Sequence, residues 1–216
     1  MPFFVLFLPF KIVRMHSIET LKEDLAQTIW NYNDKGWSPA TSTNYSFKEI
    51  NEQSEFFVTR SGVDKSNFIA TDFIQVDKSG SPTISNPNAI PSAETIIHSL
   101  IYELFPETTV VLHSHSVYPV LLSKHYEKEV SFEGYEVQKG FSGEKTHAKE
   151  IRIPILENSQ DMLFFQDGLP KIKEEINHHS FIIKQHGTYA WGKNLFEAKR
   201  HLETLEYLCQ CKWLDR

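Results

Sequence analysis

The chain has 216 residues, 40% of them hydrophobic and 23% charged, with a formal net charge of −6. That length and balance suit one globular domain with a substantial core and exclude a disordered or fibrous chain, and the acidic charge argues against a general nucleic-acid surface. Its two cysteines, Cys209 and Cys211, are too few for a disulfide framework, which fits a reduced, cytoplasmic setting.

The chain opens on MPFFVLFLPF, which is strongly apolar but too short to span a bilayer. It lacks the early positive charge and small-residue cleavage site of a signal peptide, so no membrane partner is expected. Residues 1–14 are read as an upstream extension, with an uncleaved membrane-surface anchor as the alternative, and residues 15–216 as a single domain. Ile18, Leu21, Leu25, Ile29 and Tyr32 fall at three- and four-residue spacings, which predicts a helix over 17–35 closed by Gly36. TSTNYSFKEI, EFFVTRSG and ATDFIQVDKSGSP read as strands, the last with a turn at Ser79-Gly80. NPNAIPSAETIIHSLIYELFP reads as a loop and a helix, with Ser92 as N-cap, Glu94 in the first turn and Pro106 as the stop.

TTVVLHSH is then a β-branched, apolar strand, and 116–127 a helix. EIRIPIL and SFIIKQHG are two further strands. LFEAKRHLETLEYLCQCKWL is an amphipathic helix with Leu195, Ala198, Leu202, Leu205 and Leu208 on one stripe. On that helix the i, i+2 spacing of the cysteines points them to different faces, so they read as packing rather than a metal pair. The elements mix without strict βαβ alternation, which favours a layered α/β domain with a mixed or mostly antiparallel sheet.

The chemistry concentrates in histidines. In a strand, residues i and i+2 share a face, so His113 and His115 both project from one side of VVLHSH and can hold one divalent ion. The plain alternative is two surface histidines at a strand end. His186 closes another apolar strand, FIIKQ, and is followed by Gly187, which lets the backbone turn sharply. Three histidines at two strand ends would leave a fourth position open, the arrangement of a catalytic rather than a structural zinc. Such ligands suit iron, cobalt and nickel as well. His98 and His201 fall inside helices, where packing is the default, and His147 is a weaker loop candidate.

PSAETIIHSLIYELFP, VVLHSHS, FEGYEVQKG and KQHGTYAWGKNLFEAKRHLETLEYL together resemble the class II aldolase/adducin family, from about Ile18 to the C-terminus. EGYEVQKG and HGTYAWGKNLFEAKRHLETLE resemble its dehydratase branch. The resemblance implies a three-layer α/β/α class II aldolase-like domain around a mixed, mostly antiparallel sheet. It implies one zinc ion per subunit held by His113, His115 and His186, and a homotetramer with sites near subunit contacts. It implies a phosphate pocket from Asn44, Ser46, Ser61, Gly62 and Ser92. Small side chains let backbone N–H groups approach a phosphate, and a helix N-terminus favours an anion, although each Ser-Gly taken alone is only a turn. Arg60 and Lys139 are the basic residues near these motifs.

The activity implied is loss of water from 5-methylthioribulose 1-phosphate to a 2,3-diketone phosphate, a step of methionine salvage. Two glutamates compete as proton carrier. Glu136 matches the acid/base position of the dehydratases and is favoured. Glu94 matches the catalytic glutamate of the family's aldolases. It reads otherwise as a second carboxylate near the metal or as a helix-start residue satisfying the dipole. Two rival readings remain: a class II sugar-phosphate aldolase, kept open by Glu94, and a non-catalytic adducin-like binding protein, opposed by the three histidines.

Overall fold

A computed structural model of the protein describes residues 17–50, 52–83 and 87–216. The extension expected at 1–14 lies outside the described residues. Helix α1 (Ile18–Asp34) starts where the Ser17 hydroxyl accepts the Thr20 N–H, and it buries Leu25, Ala26, Ile29 and Tyr32. Gly36 ends it at φ +73°, a backbone conformation that a side chain would strain. Three short strands follow, β1 (Tyr45–Phe47), β2 (Glu55–Thr59) and β3 (Phe73–Asp77). Helix α2 (Thr95–Leu104) leads into β4 (Val110–Ser114) and then α3 (Val117–Leu122). Next come β5 (Glu129–Phe132), β6 (Ile151–Leu156), α4 (Met162–Gly168), β7 (Ser180–Ile183) and β8 (Gly187–Gly192). The long α5 (Leu195–Leu214) is capped by Asn194, whose side chain accepts the Glu197 N–H.

The eight strands form one sheet in the order β3-β2-β1-β4-β8-β7-β6-β5. Every pairing is antiparallel except β6 with β7, so the sheet is mixed and mostly antiparallel, as expected. Alternation along the strands sends residues to two faces. Val111, Phe181, Ile183, Tyr189 and Trp191 pack with Ile97 and Ile101 of α2 and Phe165 of α4. Val110, Leu112 and Ala190 pack on the other side with Leu25 and Ile29 of α1 and Ala198 and Leu202 of α5. The same side continues under β5 and β6, where Val130, Ile151 and Ile153 meet Leu205, Leu208 and Cys209 of α5 and Leu122 of α3. The result is three layers, helices on both faces of the sheet. Cys209 is buried and Cys211 half-buried, both free thiols. No helix among the described residues is long and apolar enough to cross a membrane.

Several boundaries differ from expectation. Strands β5 and β8, helix α4 and the 3-10 turns over 169–175 were not foreseen, and α3 stops at Leu122 rather than running to 127. The run SFIIKQHG is a strand and a turn: Gln185 takes φ +54°, and β8 returns antiparallel to β7. Helix α2 begins at Thr95, and Ser92 is not its N-cap. Ser92 instead offers its carbonyl to the Thr95 N–H at 3.1 Å and the Thr95 hydroxyl at 2.7 Å.

Phe181 of β7 is fully buried, stacked on Tyr189 with centroids 5.2 Å apart and edge-on to Trp191 at 5.8 Å. Phe181→Ala is expected to destabilise the fold by about 3–5 kcal/mol, the usual cost of removing a core aromatic. Urea denaturation checks this, with the midpoint falling at unchanged slope.

Candidate metal centre and substrate cavity

The alternation that packs Val111 against α2 continues past it, so His113 and His115 project to the α2 face. Their Nε2 atoms lie 2.8 Å apart. His186 reaches the same point from the turn between β7 and β8, not from the end of a strand. Gly187 is needed there for a different reason than a sharp turn. A Cβ on it would stand 2.0 Å from the Ser114 carbonyl oxygen, so the glycine lets the hairpin pass close against β4. Glu94, the residue before α2, supplies a carboxylate from the facing layer. His113 Nε2 lies 3.3 Å from Glu94 Oε2, and His186 Nε2 lies 3.0 Å from Oε1. Four potential ligand atoms thus gather within 4.8 Å of one another. Where the histidine pattern left a fourth position open, the folded chain puts Glu94.

The donors suit a divalent cation. Around a tetrahedral ion with bonds of about 2.0–2.2 Å, ligand atoms stand roughly 3.3–3.6 Å apart, and the three close contacts here lie at that spacing or up to about half an ångström inside it. His113 Nδ1 donates to the Thr188 carbonyl at 2.9 Å, which fixes the tautomer and leaves Nε2 with a free lone pair. Burial draws His113 down to about 4 and His115 to about 3, so both rings are neutral at pH 7, the form that ligates. Burial opposes ionisation of Glu94. The positive charge that His113 and His186 carry when protonated, together with the Asn44 amide, outweighs it, and the carboxyl sits well below the usual carboxylate range.

A buried network fixes Glu94 from behind. Asn44 Nδ2 donates to Glu94 Oε2 at 2.7 Å and to Ser92 Oγ at 3.0 Å, and the Tyr189 hydroxyl donates to Oε2 at 3.1 Å. Asn44 Oδ1 accepts from His98 Nε2, whose Nδ1 accepts from Ser46 Oγ at 2.7 Å. Tyr102 completes the chain at 2.7 Å from Ser46 Oγ. Burial holds His98 neutral, at about 3. Ser46 is thus buried in this network and does not line the cavity described next. It shares the α2 face with Asn44, which directly precedes β1, but sits two residues on, inside the strand and covered by the helix.

A cavity of about 300 Å³ opens beside the cluster. Asn44, Ser61, Gly62, Ser92, Glu94 and His115 all line it, so four of the five residues expected around a phosphate meet here. Gly62 takes φ +75° to turn the loop. The Ser61 N–H donates to Ile90 O at 2.9 Å, which leaves its hydroxyl for a ligand. Arg60 also lines the cavity, but its guanidinium is held by Asp72 at 2.7 Å.

Sequence reasoning passed over Lys65. Its side chain is only 1% exposed yet borders this cavity, and its Nζ donates to Val63 O at 3.0 Å. Burial lowers its pKa to about 8, against the opposing pull of Asp64 and Asp72. A lysine three positions after a turn glycine looks solvated in sequence, and only the fold of the loop buries it.

Glu136 is placed elsewhere. It opens the 3-10 turn Glu136–Gly140, is exposed, and pairs with Lys139 and with His147 Nδ1 at 3.0 Å. It does not line the cavity of its own chain. The Lys139 ammonium and His147 hold its carboxyl below the usual range, so it is ionised.

Residues 23–213 match the family described as Class II Aldolase and Adducin N-terminal domain. The methylthioribulose-1-phosphate dehydratase of Picosynechococcus sp. is 48% identical over 196 residues, covering 90% of this chain and 92% of the relative. Among solved structures, YgbL of Escherichia coli aligns with a TM-score of 0.75 at 19% identity, over 91% of this chain and 90% of that one. The L-fuculose-1-phosphate aldolase of Thermus thermophilus aligns with a TM-score of 0.68 at 22% identity, over 88% and 91%. At these identities the two structures speak for the fold alone.

Proposed function

The chain belongs to the class II aldolase and adducin family, and from that premise we propose that it removes water from 5-methylthioribulose 1-phosphate to give 2,3-diketo-5-methylthiopentyl 1-phosphate. It is a lyase of methionine salvage. The observation that carries this is a cluster of His113, His115, His186 and Glu94 bordering a cavity, in a chain that matches a dehydratase of that name along nearly its whole length.

The cluster would hold the metal, zinc in this reading. A divalent ion there supplies Lewis acidity to the C2 ketone, which acidifies the C3 proton. The chain's own groups do the rest. Glu136 takes the C3 proton and returns it to the C4 hydroxyl as that leaves, so the atoms lost are those of water, and the enol left across C3 and C4 gives up its hydroxyl proton and gains one at C4 to become the diketone. Because Glu136 lies outside the cavity of its own chain, it works in the site of a neighbouring subunit of a cytoplasmic homotetramer. Glu94 already accepts from Asn44 and Tyr189 and faces two histidines, so it serves the metal rather than carrying protons. Asn44, Ser61, Gly62 and Ser92 cradle the phosphate, and Lys65 supplies the charge that neutralises it.

The Lys65 role makes an expected result. Lys65→Met should raise KM about 10–100-fold with a smaller change in kcat, since a charge-assisted bond to phosphate is worth about 1.5–3 kcal/mol. Steady-state kinetics read this directly. An unchanged KM would place the phosphate elsewhere.

The reaction itself is tested by incubating the zinc-loaded protein with the substrate and following products by NMR. The diketone phosphate is the expected product. Dihydroxyacetone phosphate would mean cleavage of the C3–C4 bond and an aldolase, with Glu94 rather than Glu136 as the proton carrier. No turnover with metal bound would sink this substrate.

A further inference from the structure

The segments that carry the three histidines are tied together from the opposite face of the sheet. Alternation in β4 sends His113 toward α2 and Ser114 toward α5. Thr188 of β8 stands opposite Ser114 in register and shares its face. Under both lies Glu206 of α5, only 2% exposed. Ser114 Oγ donates to Glu206 Oε1 at 2.5 Å, and Thr188 Oγ1 donates to the same oxygen at 2.8 Å. The Ser116 hydroxyl donates to Oε2. The Ser114 and Thr188 hydroxyls are themselves 2.6 Å apart, closing a triangle with Oε1.

Each of these hydroxyls sits beside a candidate ligand. Ser114 lies between His113 and His115, and Ser116 follows His115 directly. Thr188 comes two residues after His186, and its carbonyl accepts from His113 Nδ1 at 2.9 Å. A carboxylate withdrawn from water is costly unless its lone pairs are met, and a leucine would suit this place better for packing alone. Glu206 occupies the next four-residue step of the stripe after Ala198 and Leu202, both fully buried. Its cost is offset by something other than core packing.

We propose that Glu206 is a positioning residue for the metal centre. Through Ser114, Ser116 and Thr188 it sets the spacing and ring orientation of His113, His115 and His186 from across the sheet. It touches neither metal nor substrate. The three hydroxyls form a shelf on one face of the sheet, and the histidines stand on the other, His113 within β4 and His115 and His186 just beyond strand ends. The proposal rests on the metal-centre reading above.

The test measures metal affinity in the full-length protein. Zinc binding is titrated against a chromophoric chelator for the native chain, Glu206→Gln and Thr188→Val, and the cobalt(II)-loaded forms are compared by visible absorption. Thr188→Val keeps shape and leaves the carboxylate in place, so it decides the matter if Glu206→Gln does not fold. Expected is a 10–100-fold loss of zinc affinity with shifted cobalt bands, the usual effect of removing an outer partner of a ligand set. Zinc affinities within twofold of native and an unchanged cobalt spectrum would overturn the proposal, even if the denaturation midpoint of the metal-free protein fell. A native chain that binds neither zinc nor cobalt would overturn the metal reading itself, and this inference with it.

Discussion

His113→Ala is expected to purify without stoichiometric metal and to lose at least about 10³-fold in kcat/KM, or roughly 4 kcal/mol of transition-state stabilisation. His113 stands at the centre of the cluster. It is fully buried, 2.8 Å from His115 Nε2, 3.3 Å from Glu94 Oε2, and stacked on Tyr189 with centroids 4.0 Å apart. Removing it breaks the donor set and also empties space in the core, so the loss of activity alone would be ambiguous. His115→Ala separates the two effects, because His115 is partly exposed and its removal leaves less of a void. Both variants should lose metal, while only His113→Ala should lose much stability. Elemental analysis and a thermal melt decide it. Full activity with stoichiometric metal in either variant would remove the cluster from the mechanism.

Glu136→Gln is expected to lower kcat by about 10²–10⁴-fold, the range of a general acid/base, with metal content and denaturation midpoint unchanged. The separation is possible because Glu136 is exposed and pairs only with surface partners, Lys139 and His147. The sharper form of the experiment mixes subunits. His113→Ala supplies Glu136 but no metal site, and Glu136→Gln supplies the metal site but no carboxylate. If Glu136 acts in a neighbour's site, co-expressed chains should recover roughly a quarter of native activity through statistical mixing in a symmetric oligomer. If it acts within its own chain, the mixture stays inactive, and the loop carrying Glu136 must move to reach the cavity.

The main helices, most of the strands and the histidines that could hold a metal were legible in the linear chain because local rules carry them. A period of two places His113 and His115 on one face of a strand. A three- and four-residue period writes out α1 and α5. What was missed was set by contacts distant in sequence. β8 was hidden because its hairpin turn, Lys184 to His186, has little turn chemistry of its own and follows an apolar run without a break. Ser46 falls outside the cavity because α2 covers its strand, which nothing local announces. Lys65 and Glu206 look like ordinary surface charges until the loop and the sheet close over them. The stripe Ala198, Leu202, Glu206 was a visible clue to a buried carboxylate, since a charge fell on an apolar position.

Periodicity and motif spacing are properties of the linear chain, and they were enough for the class of fold and the residue types able to hold a metal, while the family came from the resemblance of whole stretches. Three further points came from folding alone. Of the readings open for Glu94, the fold selects the carboxylate beside the histidines, 3.0 Å from His186 Nε2. Lys65 rather than Arg60 takes the role of the buried cation. Glu136 is left outside the cavity of its own chain. One cause underlies all three. Charge, burial and hydrogen-bond partnership arise where strands and helices far apart in sequence meet, and no local pattern encodes which groups will face one another there.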